Sequence, residues 1–402
     1  MILGGGIAGL ETLLALHDMA GELTAITLVS PAPEFLYKPT TVEEPLTVQP
    51  AASRELAPIV AELGASFVPG AVRRVDTERL VVELLDGEQL AYDRLVVCVG
   101  GDAQDAYRDA VSFRVSGPPL AIDGLIDAAL ADPSRRLAFV VPPGVSWPLP
   151  IYELALMTRR RADERGRREL AIGIYSPEST PLTLFGSVAS TAVAELLAAR
   201  RIEFRDSLVH EGDAGELLVT PGGAMLEAGA VVALPLIGGP WIEGLPRDER
   251  GFIPIDDHAR VVGLEHVWAA GDGTTFPVKQ GGIGTQQADA AAEQIAASVG
   301  ADVEPRPFHP VLRGQLVTAG ESLHLRHELE GGHGEGEASL DYLWWPPHKV
   351  SGRYLAAWLE GEAPRGDPEP PSTPLEVEVS LPHEWHSQPM AIDPDGSPRP
   401  VD

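Results

Sequence analysis

Apolar positions along the chain switch between helical and strand spacing, and the switches mark out the elements. The opening MILGGGIAG sets a short apolar strand at residues 1–3 directly against a glycine run, and LETLLALHDMAG then carries helical spacing. Apolar strands follow at AITLVS (25–30) and at 95–99, the second ending at Gly100-Gly101; between them a strand pair at 79–92 turns on Asp86-Gly87. The alternation then restarts, with a strand at 137–141, a basic helix at 151–166, the strand LAIGIYS (170–176) and a helix at 187–200. It closes with an apolar strand in VWAAGD and a long alanine-rich helix from near Gly284.

Strands alternating with helices predict an α/β fold of two doubly wound, Rossmann-like dinucleotide-binding units, the second inserted in the first. Residues 1–105 and 245–310 form the first unit and 106–244 the second. The first strand is so short that it is expected to weaken a sheet edge. Residues 311–360 read as a small separate C-terminal cap. From 361 onward ten prolines fall between 364 and 400, and nine acids face two arginines, so 361–402 is expected to be a disordered, acidic, Pro-rich tail.

Charge narrows the partners. With 59 acidic and 30 basic side chains the net charge is −29, and such a surface repels phosphate backbones, so nucleic acid is not an expected partner. No run approaches the roughly 18 apolar residues that span a bilayer, and no charged segment precedes an apolar one at the N-terminus; a cytoplasmic location is expected. A single cysteine, Cys98 in LVVCVGG, excludes cysteine-pair redox chemistry within the chain and reads as a small buried hydrophobe. No metal site is expected.

The candidate chemistry lies at strand ends. Gly4-Gly5-Gly6-Ile7-Ala8-Gly9 is GxGxxG in the required strand–turn–helix context: Gly4 for the tight turn, Gly6 for backbone approach to a pyrophosphate, Gly9 for close helix packing. The helix N-terminus adds free N–H groups and a positive dipole end. About 20 residues on, where an acid binds ribose hydroxyls, stands Ser30, a weaker acceptor, with Glu34 as a substitute. Far along the chain, Gly271-Asp272 ends an apolar strand and places a carboxylate where it can hold a sugar or polyol hydroxyl.

GGGIAG and VWAAGD, about 260 residues apart, together resemble the two-part FAD site of the two-dinucleotide-binding-domain flavoproteins, the FAD-dependent pyridine nucleotide-disulfide oxidoreductase-like family. FPVKQGG followed by TQQADAAAEQIA, PEFLYKPTTVEEP (33–45) and SPESTPLTLFG (176–186) are similar to the branch of type II NADH:quinone and sulfide:quinone oxidoreductases. This resemblance covers residues 1–360 and implies FAD as cofactor. Gly4, Gly5, Gly6, Ile7, Ala8 and Gly9 then hold the pyrophosphate, with Ser30 and Gly100 among the cofactor contacts. Val72 contributes backbone contacts to the adenine; Gly271 and Asp272 hold the ribitol. Gln280, Gly281, Gly282 and Ile283 lie beside the flavin ring, with the helix N-terminus near Gly284 aimed at its N1–O2 edge, and Lys38 is either a flavin contact or a solvated lysine. A small-molecule electron donor and a quinone or other small acceptor are the implied partners. Gln286 and Gln287 are either quinone-channel residues or ordinary polar positions. The apolar positions Val350, Tyr354, Leu355, Trp358 and Leu359 either give peripheral membrane contact through 342–359, on the inner face of the cell membrane, or pack on the protein's own core.

Two departures qualify the resemblance. Type II NADH:quinone oxidoreductases carry a second glycine loop for NADH; here residues 142–148 read PPGVSWP. Prolines lack the N–H donors a pyrophosphate needs, and Trp147 adds bulk, so NAD(P)H binding is expected to be lost or altered despite Glu153 and Glu178 nearby. Sulfide:quinone oxidoreductases need a cysteine pair beside the flavin, and this chain has none. The expected function is a FAD-dependent oxidoreductase passing electrons from a small donor to a quinone or other small acceptor, with no acid/base or covalent catalytic residue singled out. The alternatives are an NADH:quinone oxidoreductase with an atypical loop and a non-catalytic flavin-binding, redox-responsive module.

Overall fold

The computed structural model describes residues 1–361 except 48–50, 115–118, 133, 212–216, 221–222, 227–229, 319 and 330–334, together with 390–392 and 398–400. Two five-stranded parallel sheets organise these residues. The first runs, edge to edge, Val267–Ala269, Leu95–Val97, Ile2–Leu3, Thr27–Ser30 and Ser66–Pro69. Its central strand is the short N-terminal one: Ile2 pairs with Leu28 and Val96, and Leu3 with Val29 and Val97. The expectation of a weakened sheet edge is therefore corrected. Two residues suffice because both are paired on both sides and covered above and below, each 1% exposed.

The second sheet runs Val111–Ser112, Val231–Ala233, Arg136–Val140, Ala171–Ser176 and Ile202–Asp206, again all parallel. It is inserted between strands Leu95–Val97 and Val267–Ala269 of the first, and an antiparallel ribbon, Asp102–Gln104 with Leu236–Gly238, ties the outgoing and returning chain together. Helix Leu149–Glu164 starts inside a proline-rich stretch. That is permitted because the first-turn N–H groups have no intrahelical acceptor to lose. Helix Gly281–Ser298 likewise starts three residues before the expected Gly284.

The expected separate cap does not pack separately. Strands Val311–Leu316, Leu323–Glu328 and Glu337–Ser339 form an antiparallel sheet. Leu312, Leu316 and Leu325 share one core with Phe139, Leu149 and Phe185 of the second unit. A Cβ at Gly314 would come within 2.5 Å of the Phe185 ring, so this packing is close. The chain then returns to the first unit, where Val350, Tyr354 and Leu355 are buried and Trp358 and Leu359 are part-buried against the same core. The apolar face suspected of membrane contact thus packs on the protein itself, and within it only Leu355–Glu360 is helical. Among the described residues no helix is long and apolar enough to cross a membrane. Of the tail expected to be disordered, most lies outside the described residues; Met390–Ile392 and Pro398–Pro400 pair antiparallel.

One buried carboxylate anchors this return. Glu11, fully buried in helix Ile7–Ala20, accepts the backbone N–H of Tyr354 at 2.9 Å and of Leu355 at 2.7 Å, capping the last helix. Glu11→Ala orphans two buried donors and should cost about 2–4 kcal/mol of stability in denaturant unfolding. Glu11→Gln, which keeps one acceptor, should fall between it and the native protein.

Candidate functional site

The N-termini of helices Ile7–Ala20 and Gly281–Ser298 converge at the C-terminal ends of the first sheet's strands. Glycine makes this possible. Gly4 takes φ +106° and lies so close to Cys98 that a Cβ would overlap its carbonyl, while a Cβ at Gly9 would overlap the Gly4 carbonyl. Gly6, between them, has nothing within 4 Å of its Cβ position, so a ligand can lie directly on the backbone there. No side chain caps the helix at Gly6. Ile7 packs beside Gly281 and Ala8 beside Gly271, joining the two N-termini. Anions are favoured at such a paired positive end.

Asp272 follows directly, after strand Val267–Ala269, and its carboxylate makes no hydrogen bond among the described residues. Burial lifts its carboxyl above the usual carboxylate range, against the opposing pull of Lys279 and Lys38. Gln287, fully buried, holds the turn: its Oε1 accepts the Gly271 N–H at 2.8 Å. The Gly100-Gly101 turn runs alongside, with the Asp272 carbonyl 3.4 Å from the Gly101 Cβ position. Ser30 sits against Gly5, its Oγ 3.1 Å from the Gly5 Cβ position, and accepts the Ala32 N–H at 3.3 Å. The residues drawn together from both ends of the chain are thus an open backbone loop, two helix N-termini and a carboxylate with spare acceptor capacity. They fit a dinucleotide: phosphates on the loop and helix ends, polyol hydroxyls on Asp272.

Other expected residues hold different posts. Gln280 caps the second helix, its Oε1 accepting from Ile283 N–H at 2.8 Å and its Nε2 donating to the Arg313 carbonyl at 3.2 Å. Gly281 and Gly282 occupy that helix's first turn and Ile283 is buried. Lys38 is exposed at the start of the 3-10 helix Lys38–Leu46. Val72 opens an antiparallel three-stranded sheet. Gln286 clasps the cap, donating to Gly282 and Val311 carbonyls at 2.7 and 3.0 Å and accepting from Val311 N–H at 2.8 Å. Gln286 and Gln287 are spent inside the protein, so the quinone-channel alternative is corrected in favour of structural polar positions.

In the second unit the proline loop and the acid after the next strand have partners within the chain. Trp147 of the proline loop packs on Phe185 with ring centroids 5.7 Å apart. Glu178, where a nucleotide's ribose would seek an acid, is taken by its own chain. Tyr152 Oη donates to Glu178 Oε2 at 2.7 Å, Ser176 Oγ donates to it at 2.8 Å, and the Thr183 N–H reaches Oε1 at 3.2 Å. Burial pushes the Glu178 carboxyl up to about 7, those three donors opposing it. The cap sheet leans on this edge, His327 Nδ1 lying 2.8 Å from the Leu184 carbonyl.

Sequence reasoning missed two lysines. Lys349 Nζ donates to the buried Glu153 Oε1 at 2.6 Å and to the Pro39 carbonyl at 3.2 Å. Burial raises the Glu153 carboxyl while Lys349 opposes it. Lys349 also borders a cleft of about 770 Å³ lined by Tyr37, Thr40, Met157, Arg161 and Gln315. Its neighbour Val350 packs beside Gly281 at the start of helix Gly281–Ser298. The second, Lys279, stands in the quoted FPVKQGG. A lone lysine among apolar and glycine residues was the available signal.

A scan against family models finds no match. Sequence comparison finds a sulfide-quinone reductase of Aquifex aeolicus (strain VF5), 24% identical over 220 residues, covering 51% of this chain and 49% of that relative. That match spans only about half of the relative's length. The demethylphylloquinone reductase NdbB of a Synechocystis species is 27% identical over 343 residues, 77% of this chain and 80% of the relative. The solved structure of the sulfide:quinone oxidoreductase from Aquifex aeolicus superposes with a TM-score of 0.76 at 17% identity, over 84% of this chain and 86% of that one. NDH2 from Plasmodium falciparum in complex with NADH gives 0.54 at 16%, over 68% and 63%. The fold is Rossmann-like α/β, as in that sulfide:quinone oxidoreductase structure, and both sequence relatives are quinone reductases by name.

The Glu178 network makes a pH-dependent contribution to stability. A carboxyl raised on folding stabilises most below its unfolded value and loses that contribution as pH rises through the folded one. The stability of the native protein relative to Glu178→Gln should therefore fall by up to about 3 kcal/mol as pH rises from the usual glutamate value of about 4.5 to about 7. Unfolding curves of both proteins across that range measure it.

Proposed function

We propose that this protein is a FAD-dependent oxidoreductase that passes two electrons from a small donor through the flavin to a quinone. The observation that carries it is the pairing of an open Gly6 loop with an unspent Asp272 carboxylate between two converging helix N-termini. The quinone reductases among its homologues support the acceptor. When bound, FAD supplies the hydride and electron chemistry, and the chain positions, tunes and shields it. Gly4, Gly5, Gly6, Ile7, Ala8 and Gly9 receive the pyrophosphate, Ser30, Val72 and Gly100 line the adenosine side, and Gly271 and Asp272 hold the ribitol. The Gly281–Gly282–Ile283 turn, capped by Gln280, lends its dipole to the ring, and Lys38 adds a cation near Asp272.

The acceptor is proposed to enter through the Lys349 cleft, because Val350, next to Lys349, packs beside Gly281 at the helix start. There the Glu153–Lys349 pair can hold a proton beside it. Peripheral membrane contact is proposed through the exposed Leu340, Tyr342 and Trp345 rather than through the buried 350–359 face. The donor is proposed not to be NADH, because the proline loop and Glu178 of the second unit have partners within the chain.

The purified protein should carry about one noncovalent FAD per chain, read by absorbance after reconstitution, and Gly6→Val should abolish it. Absence of flavin from the reconstituted native protein would overturn the assignment. Stopped-flow reduction by NADH should be slow and linear in concentration. Two missing charge-assisted hydrogen bonds raise a dissociation constant by roughly two to four orders of magnitude. Fast, saturating reduction at micromolar NADH would favour the NADH:quinone alternative. Cys98 is buried, with its thiol pushed by burial up to about 12, so Cys98→Ala should leave flavin turnover nearly unchanged in anaerobic bleaching and reoxidation.

A further inference from the structure

The proline loop that cannot hold a phosphate makes a contact of its own. Ser146, buried within PPGVSWP, accepts the backbone N–H of Lys279 at 3.2 Å, so the second unit reaches into the loop between strand Val267–Ala269 and helix Gly281–Ser298. The Lys279 side chain closes that loop on itself. Its Nζ donates to the Thr274 carbonyl at 2.5 Å and the Phe276 carbonyl at 2.8 Å, and lies 3.8 Å from the centre of the Phe252 ring. Two acceptors and an aromatic face make a fitted seat for an ammonium. Asp272 leads into the loop, and Lys279 and Lys38 are the cations acting on its carboxyl.

We infer that Lys279, braced by Ser146 of the proline loop, is the positioning residue that holds Asp272 in place for the cofactor's polyol. The inference rests on the FAD assignment above and extends it to a contact between the two units. Losing the Lys279 charge turns two charge-assisted bonds into neutral ones and so loosens the loop that follows Asp272. Burial brings the Lys279 amine down to about 7, with Asp272 pulling it up, Arg250 adding to the fall and Asp248 opposing it. The charge is therefore present below about that pH and lost above it. Cofactor affinity should follow the same course, high on the acid side of neutrality and weaker on the alkaline side.

The test is FAD binding to the cofactor-stripped full chain, by fluorescence quenching, between about pH 6 and about pH 9. The native protein should lose about tenfold in affinity across neutrality. Lys279→Met should bind about tenfold or more weakly at the acid end and show no step. Lys279→Arg, charged throughout, should regain affinity at the alkaline end, which a purely space-filling role does not predict. Ser146→Ala, a milder change should Lys279→Met fail to fold, should weaken binding several-fold with the step retained. A native protein that takes up no FAD sinks the functional assignment, and this inference with it. A native protein that binds FAD while Lys279→Met matches it in affinity and pH profile, or Ser146→Ala matches it in affinity, overturns this inference alone.

Discussion

Backbone-to-backbone contact at glycine is the constraint on which the molecule depends. Gly4 must run against the Cys98 carbonyl and Gly9 against the Gly4 carbonyl for helix Ile7–Ala20 to start at the C-terminal end of the sheet's central strand. Gly284 must approach Gly271 for helix Gly281–Ser298 to start beside it. Any side chain at these points would drive the helix starts apart. The positive dipole ends would then no longer share one crevice, and Asp272 would no longer face the loop. Cofactor geometry and core packing are in this sense the same contacts.

The two units have parted company in how they use one architecture. In the first, the crevice is open: the Gly6 backbone is bare and Asp272 keeps its acceptors. In the second, Trp147 packs on Phe185 and Tyr152 bonds Glu178, with the cap sheet resting against Phe185. A carboxylate that elsewhere on this fold would meet a ligand hydroxyl here meets a tyrosine hydroxyl. The same chemical demand, a buried acid needing donors, is met internally. The proline loop makes a contact of its own with the first unit, Ser146 accepting the Lys279 N–H.

Buried charge ties the distant parts of the chain together. Glu11 receives the N–H groups of Tyr354 and Leu355, Glu153 meets Lys349, and Glu293 receives Arg353 at 3.4 Å. Each pairing joins segments far apart in sequence, and each leaves an uncompensated buried group if one partner is removed. This makes the return of residues 340–361 onto the first unit specific. It also explains why an apolar stretch that looked available for a membrane is folded inward.

Much was legible from sequence by itself. The α/β class follows from local periodicity, and the tight turn at Gly4–Gly9 from glycines whose purpose is backbone approach. Both signals are written in residues close together along the chain. Tertiary structure decided the rest. A two-residue strand became the centre of a sheet because its neighbours, Leu28 and Val96, come from elsewhere in the chain. Gln280, Gln286 and Gln287 became caps and clasps, and Lys279 and Lys349 found carbonyl and carboxylate partners, because a polar side chain's role depends on which donors and acceptors surround it. For Lys349 that surrounding comes from Glu153 and Pro39, 196 and 310 residues away; for Lys279 and the glutamines it depends on how nearby segments turn back on one another, which residue spacing alone does not fix.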